Sequence, residues 1–155
     1  MNAVTTGLAK AKYDPDKHQV YINFNGLSTK EILKETLDIV LEIGLINRVN
    51  RWVLNLDHLE GTNANNLIRI VLKWLGNAYD KMVNYGVKQR AEIIIISEPN
   101  LRKLTLAVKK AHDSGLIPHW VTLRVYESEI KIYGKPEIAE EPIKIMAIQE
   151  KSITW

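Results

Sequence analysis

The stretch Ala91-Glu92-Ile93-Ile94-Ile95-Ile96 constrains the fold of this 155-residue chain more than any other segment. Consecutive β-branched side chains crowd the preceding turn of a helix but fit the pleat of a strand. An apolar run without polar alternation also predicts burial on both faces, as in the interior of a mostly parallel sheet. Such a strand needs partners on both sides, and the surrounding sequence supplies them.

Trp52-Val53-Leu54-Asn55-Leu56-Asp57 is expected to be a second short apolar strand, central in the sheet. Upstream, Leu8 to Asn25 reads as a β-hairpin. Asp14-Pro15-Asp16-Lys17 supplies its turn, and Val20, Ile22 and Phe24 alternate with Tyr21, Asn23 and Asn25. After Gly26, Ser28-Thr29-Lys30-Glu31 has the spacing of a capping box, with Ser28 as the cap and Glu31 reaching back. Ile32, Leu33, Thr36, Leu37, Val40 and Leu41 then form the stripe of a first helix that ends between Gly44 and Asn50.

Asp57 to Asn66 is polar and reads as a loop at the carboxyl end of the Trp52 strand. A second helix from about Asn65 to Tyr85 carries Leu67, Val71, Trp74, Leu75, Ala78 and Met82 on one face, with Gly86 as its stop. Ser97-Glu98-Pro99 is expected to open a third helix, striped by Leu101, Leu104, Val108 and Ala111 and closed by Ser114-Gly115. Trp120 to Tyr126 is a last strand.

The order ββαβαβαβ predicts one α/β domain over residues 1–155. Its single mixed, mostly parallel sheet has the N-terminal hairpin strand as an antiparallel edge and helices packed on it. The core spans 8–130. Residues 131–155 form an extension, in which Ile143 to Trp155 is either an added strand or a tail.

Composition narrows the chemistry. Hydrophobic residues make up 46% and charged residues 25%, the balance of a globular domain. A net charge of +3 without a basic block points away from nucleic acid. The lack of cysteine removes disulfides, thiolate metal sites and a cysteine nucleophile. No segment reaches the roughly 18 consecutive apolar residues of a membrane span. Met1 to Lys10 has no apolar run of signal-peptide length, so a cytoplasmic protein is expected.

The histidines His18, His58, His112 and His119 lie in four different segments, none with a second ligand at metal-binding spacing. A nucleophile elbow, a phosphate loop and a dinucleotide-binding glycine turn are also absent from the sequence. We therefore expect no catalytic, metal or cofactor site.

The candidate interaction or ligand surface is the loop holding Asp57, His58, Thr62, Asn63, Asn65 and Asn66. It follows a strand and precedes a helix whose positive dipole end favours an anionic group. The competing reading gives Thr62, Asn63 and Asn65 only the role of capping that helix. Ile68, Ile70 and Leu72 lie off the main stripe of the second helix, so Ile68 and Leu72, with the terminal Trp155, make a candidate contact surface. The other tryptophans read as core. Arg102, Lys103, Lys109 and Lys110 give the third helix a basic, solvated face.

Several segments together resemble the STAS superfamily and its SEC14-type small bacterial relatives over residues 8–130. They are Phe24-Asn25-Gly26-Leu27-Ser28 before a capped helix, the Trp52–Asp57 strand, and Tyr85-Gly86-Val87-Lys88 leading into Ala91–Ile96. The last is Val125-Tyr126-Glu127-Ser128-Glu129 at a final strand. The resemblance implies a regulatory or ligand-binding role rather than catalysis. Anti-sigma-factor antagonists of this superfamily carry an Asp-Ser-Ser-Gly segment with a phosphorylated serine. Here the matching loop is Gly61-Thr62-Asn63-Ala64-Asn65-Asn66, a departure from that pattern with no serine and only the Thr62 hydroxyl in its place, and the chain also lacks the Ala-x-x-Trp-Leu ending of the final helix.

Three functions follow as expectations. The first is a non-enzymatic module that docks a protein partner or its own copy. The second is a binder of an apolar small molecule such as a fatty acid, which needs an enclosed cavity between helices and sheet. The third is an enzyme built around Asp57 and His58.

Overall fold

Six strands pair into one mixed sheet in the order β5-β4-β3-β2-β1-β6. They are β1 (Ala9–Asp14), β2 (Gln19–Leu27), β3 (Arg51–Glu60), β4 (Ala91–Ile96), β5 (Val121–Tyr126) and the two-residue β6 (Glu141–Pro142). Four helices join them: α1 (Lys30–Ile46), α2 (Ala64–Asn84), α3 (Leu101–Asp113) and the short α4 (Ile130–Tyr133). This computed structural model describes residues 9–27, 29–60, 63–86, 90–128, 130–134 and 141–142.

The N-terminal hairpin is antiparallel, with Ala9 opposite Phe24 and Asp14 opposite Gln19. Its turn is held by the Asp14 carboxylate, which accepts from the amides of Asp16 (3.1 Å) and Lys17 (3.3 Å). β2, β3, β4 and β5 are parallel and lie side by side in chain order. Every crossover therefore steps the same way, which places the three long helices on one face of the sheet.

That face holds the main core. Val20, Ile22 and Phe24 of β2, Trp52, Leu54 and Leu56 of β3, and Ile93 and Ile95 of β4 meet the apolar stripes of α1, α2 and α3. The alternate positions, Tyr21, Val53, Ile94 and Ile96, form a second cluster on the opposite face with Tyr126 and with Ile132 and Tyr133 of α4. The isoleucine run of β4 is thus buried on both sides, as its lack of alternation requires.

Four local features differ from the sequence expectations. The α1 cap is Thr29, whose hydroxyl accepts from the Ile32 amide (3.2 Å); Ser28 lies outside the described residues. β3 runs on to Glu60, so Asp57 to Glu60 is strand rather than loop, because β2 continues to Leu27 and keeps pairing with it. α3 starts at Leu101 with Asn100 as its cap position, leaving Ser97-Glu98-Pro99 as a turn before it. The outer edge of β1 is partly covered, with Lys10 opposite Pro142 and Ala11 opposite Glu141 of β6. The strand-or-tail question for Ile143 to Trp155 falls outside the described residues.

Among the described residues no helix is long and apolar enough to cross a membrane.

Candidate functional site: the end of β3 and the cleft between two helices

Asp57 and His58 lie at the carboxyl end of β3, the edge of the sheet at which open α/β folds hold ligands, though the parallel strands here run in chain order with no reversal to open a crevice. A register shift between the Asn23–Asn55 and Asn25–His58 pairs inserts one extra residue into β3 at this point. The bulge changes what Asp57 faces. Its Oδ1 accepts from the backbone amide of Glu98 (2.6 Å), tying β3 to the turn that precedes α3. The Asp57 amide in turn donates to Asn55 Oδ1 (3.0 Å), and Asn55 Nδ2 donates to the Tyr21 hydroxyl (2.8 Å). Asn55 is only 2% exposed, so this chain of bonds satisfies polar groups inside the sheet.

The other loop residues are placed as follows. His58 is exposed and pairs with Asn25 across the ladder. Asn63 is the N-cap of α2, its Oδ1 accepting from the Asn66 amide (2.8 Å), and Asn65 and Asn66 are exposed in the first turn. Thr62 lies outside the described residues, as does Trp155. Among the described residues no group of three or more His, Asp or Glu is arranged to hold a metal ion.

Ile68 and Leu72 are half-buried. Together with Val71 they face Leu104, Ala107 and Val108 of α3 and Ile95 and Leu123 of the sheet. The gap they enclose measures about 10 Å³, room for one water at most. The outward face of α2 is mainly polar, with Arg69, Lys73, Asn77, Asp80 and Lys81 exposed.

Two of these side chains belong to a larger feature. α1 and α2 pack side by side, and between the first turns of α1 and the first half of α2 they leave a cleft of about 340 Å³ lined by Lys30, Glu31, Lys34, Arg69, Ile70, Lys73 and Trp74. Lys30 and Lys34 are one turn apart on α1, and Arg69 and Lys73 are one turn apart on α2. At that spacing each pair shares a helix face. Among the described residues, four cations thus line the cleft with one carboxylate, Glu31. Among the described residues, none of the four makes an ion pair. Like charges at this spacing cost a helix about 0.2–0.5 kcal/mol per pair. The floor is apolar: Ile70 and Trp74 are 6% and 2% exposed, and the Trp74 Nε1–H has no acceptor among the described residues.

Sequence reasoning singled out Trp74 as core and missed the cleft. The signal available to it was the pair of like-charge i,i+4 spacings on two successive helices, Lys30/Lys34 and Arg69/Lys73. No family model, curated protein or solved structure matches this chain.

Proposed function

We propose that this chain is a non-enzymatic recognition module that receives an anionic group in the cleft between α1 and α2. The observation that carries this reading is the convergence of Lys30, Lys34, Arg69 and Lys73 on one concave site, with no ion-pair partner for any of them among the described residues. The α1 N-terminus adds to it through its dipole, which is positive there, although Thr29 already takes the Ile32 amide of the first turn. An anion in the cleft would relieve the repulsion within both cation pairs.

The carboxyl end of β3 supports the non-catalytic half of the proposal. There the Asp57 Oδ1 accepts from the Glu98 amide, which gives this carboxylate a structural task, and no hydrogen bond among the described residues links it to His58. Likeness to STAS-type domains agrees with a regulatory or binding role, though by analogy of fold alone. The apolar-ligand alternative has less support, since the gap between α2, α3 and the sheet has no room for an acyl chain.

Backbone NMR with inorganic pyrophosphate as the probe tests the proposal. Shifts should concentrate at Lys30, Glu31, Lys34, Arg69 and Lys73 and vanish in the Lys34→Gln/Lys73→Gln variant. Shifts scattered over the surface, or surviving the double substitution, would refute it.

A further inference from the structure

We infer that this chain pairs with a second copy of itself through its helix layer. The acidic outer face of α1 in each copy lies against the basic outer face of α3 in the other.

Both faces follow from helix spacing. Two residues along an α-helix turn through about 200°, so a residue two positions from a buried one points away from the sheet. Glu31 and Glu35 stand two residues either side of the buried Leu33, and Asp38 and Glu42 two residues either side of the buried Val40. The outer stripe of α1 therefore carries four carboxylates. On α3, Arg102 and Leu106 flank the buried Leu104 in the same way, and Lys109 and Asp113 flank the buried Ala111. Lys103 and Lys110, one residue before those buried positions, border the same face. Four cations and one carboxylate thus accompany Leu106, an exposed apolar side chain.

Neither face is neutralised within the chain. Among the described residues none of these carboxylates or cations makes an ion pair. The α1 carboxylates stack at i,i+4 and i,i+3, an arrangement that destabilises a helix until opposite charge meets it. α2 packs against both helices and keeps them apart, with α1 on β2 and β3 and α3 on β5. The two faces of one chain cannot meet, whereas those of two copies can.

Because β2 to β5 are parallel, the three helices that connect them run in one direction. A two-fold axis along that direction, passing over α2, sets α1 of each copy on α3 of the other. Both contacts then form at once and the assembly closes as a dimer. An axis across the helices would set acid on acid instead. α2 leaves room at the axis: Gly76, two residues from the buried Trp74 and Ala78, is exposed and bears no side chain. Helices of 17, 21 and 13 residues side by side span about 25 by 25 Å, roughly 600 Å² per copy beside the ~800 Å² of a standard interface. Pairing on that scale leans on charge and weakens with salt. The α1 and α3 faces share only Glu31 with the lining of the α1–α2 cleft, so the pairing does not rest on anion binding there.

Sedimentation equilibrium of the full chain at low and high ionic strength tests the pairing. The parent should form dimers whose dissociation constant rises about ten-fold or more at high salt. Glu35→Lys/Asp38→Lys/Glu42→Lys turns the α1 face basic, and Arg102→Glu/Lys103→Glu/Lys109→Glu turns the α3 face acidic. Each variant alone should be monomeric. An equal mixture of the two should restore a dimer, because each α1 again meets an α3 of opposite charge, and restoration shows that both variants fold. The milder Glu35→Gln/Lys109→Gln should weaken the parent dimer about ten-fold whatever becomes of the triple variants. A monomeric parent, a dimer that survives both reversals, or a mixture of folded variants that stays monomeric would overturn the pairing. Open-ended oligomers would overturn the two-fold arrangement. A monomeric parent that bound polyglutamate through α3 would overturn the second copy in favour of an acidic partner.

Discussion

The backbone of Gly44 lies directly against the indole of Trp52. A Cβ built at position 44 would overlap the ring, and the Trp52 Nε1–H reaches back to the carbonyl of Val40 one turn earlier (3.3 Å). The contact locks α1 onto β3 and fixes the depth at which the helix sits on the sheet. Glycine inside a helix ordinarily costs about 1 kcal/mol relative to alanine, so Gly44→Ala would stabilise an isolated α1. Here overpacking, typically about 1–3 kcal/mol, outweighs that gain. Gly44→Ala is expected to lower the denaturant midpoint, and a higher midpoint would show that the ring has space to move.

The Asp57 carboxylate holds the turn before α3 by one charge-assisted bond to the Glu98 amide. Asp57→Ala should cost about 1.5–3 kcal/mol, the usual net worth of a bond to a charged group. Hydrogen exchange at Glu98 should speed up while exchange within β4 stays slow. Unchanged exchange at Glu98 would mean that the turn holds without its acceptor.

Asn55 is buried between two polar groups that it satisfies at once, the Tyr21 hydroxyl and the Asp57 amide. Asn55→Ala removes a hydrogen-bond partner from each, so the expected loss is about 1–3 kcal/mol. Tyr21→Phe removes one partner and should cost less. Denaturation of the two variants and their double mutant reads the coupling, and purely additive losses would contradict a direct bond.

Burial pushes the Tyr79 hydroxyl from 10.0 up to about 12. In the unfolded chain this phenol loses its proton first, so the folded state holds more protons between those values and stability falls as pH rises. The contribution is intact below pH 10 and is lost as pH climbs through 12. Tyr79→Phe should therefore have a shallower alkaline stability limb than the parent. Identical limbs would indicate that Tyr79 ionises as freely when folded as when unfolded.

The elements were legible in the sequence wherever a local period settled the matter. The isoleucines of β4, the stripe from Leu33 to Leu41 and the stops at Gly86 and Gly115 each carry their own signal. The misreadings occur where a distant partner decides. Asp57, His58 and Glu60 look like loop because they are polar, yet they belong to a strand because Asn25 to Leu27 pair with that segment. Ser28 and Thr29 are both competent caps, and nothing local chooses between them. The cleft is an interhelical feature: each like-charge pair is visible in sequence, but only the packing of α1 beside α2 brings Lys34 and Lys73 to one site. The helix that reads as most basic, with Arg102, Lys103, Lys109 and Lys110, contributes none of the residues lining that cleft.

Anion recognition in the cleft is tested most directly by calorimetric titration of pyrophosphate into three proteins: the parent, Lys34→Gln/Lys73→Gln, and Lys103→Gln/Lys109→Gln. The last pair removes the same charge from α3. The cleft variant should lose about ten-fold or more in affinity while keeping or slightly gaining stability, because each substitution removes a like-charge repulsion of about 0.2–0.5 kcal/mol. The α3 variant should bind like the parent. Equal losses in both variants would mean that pyrophosphate senses only net charge, which would contradict a site between α1 and α2.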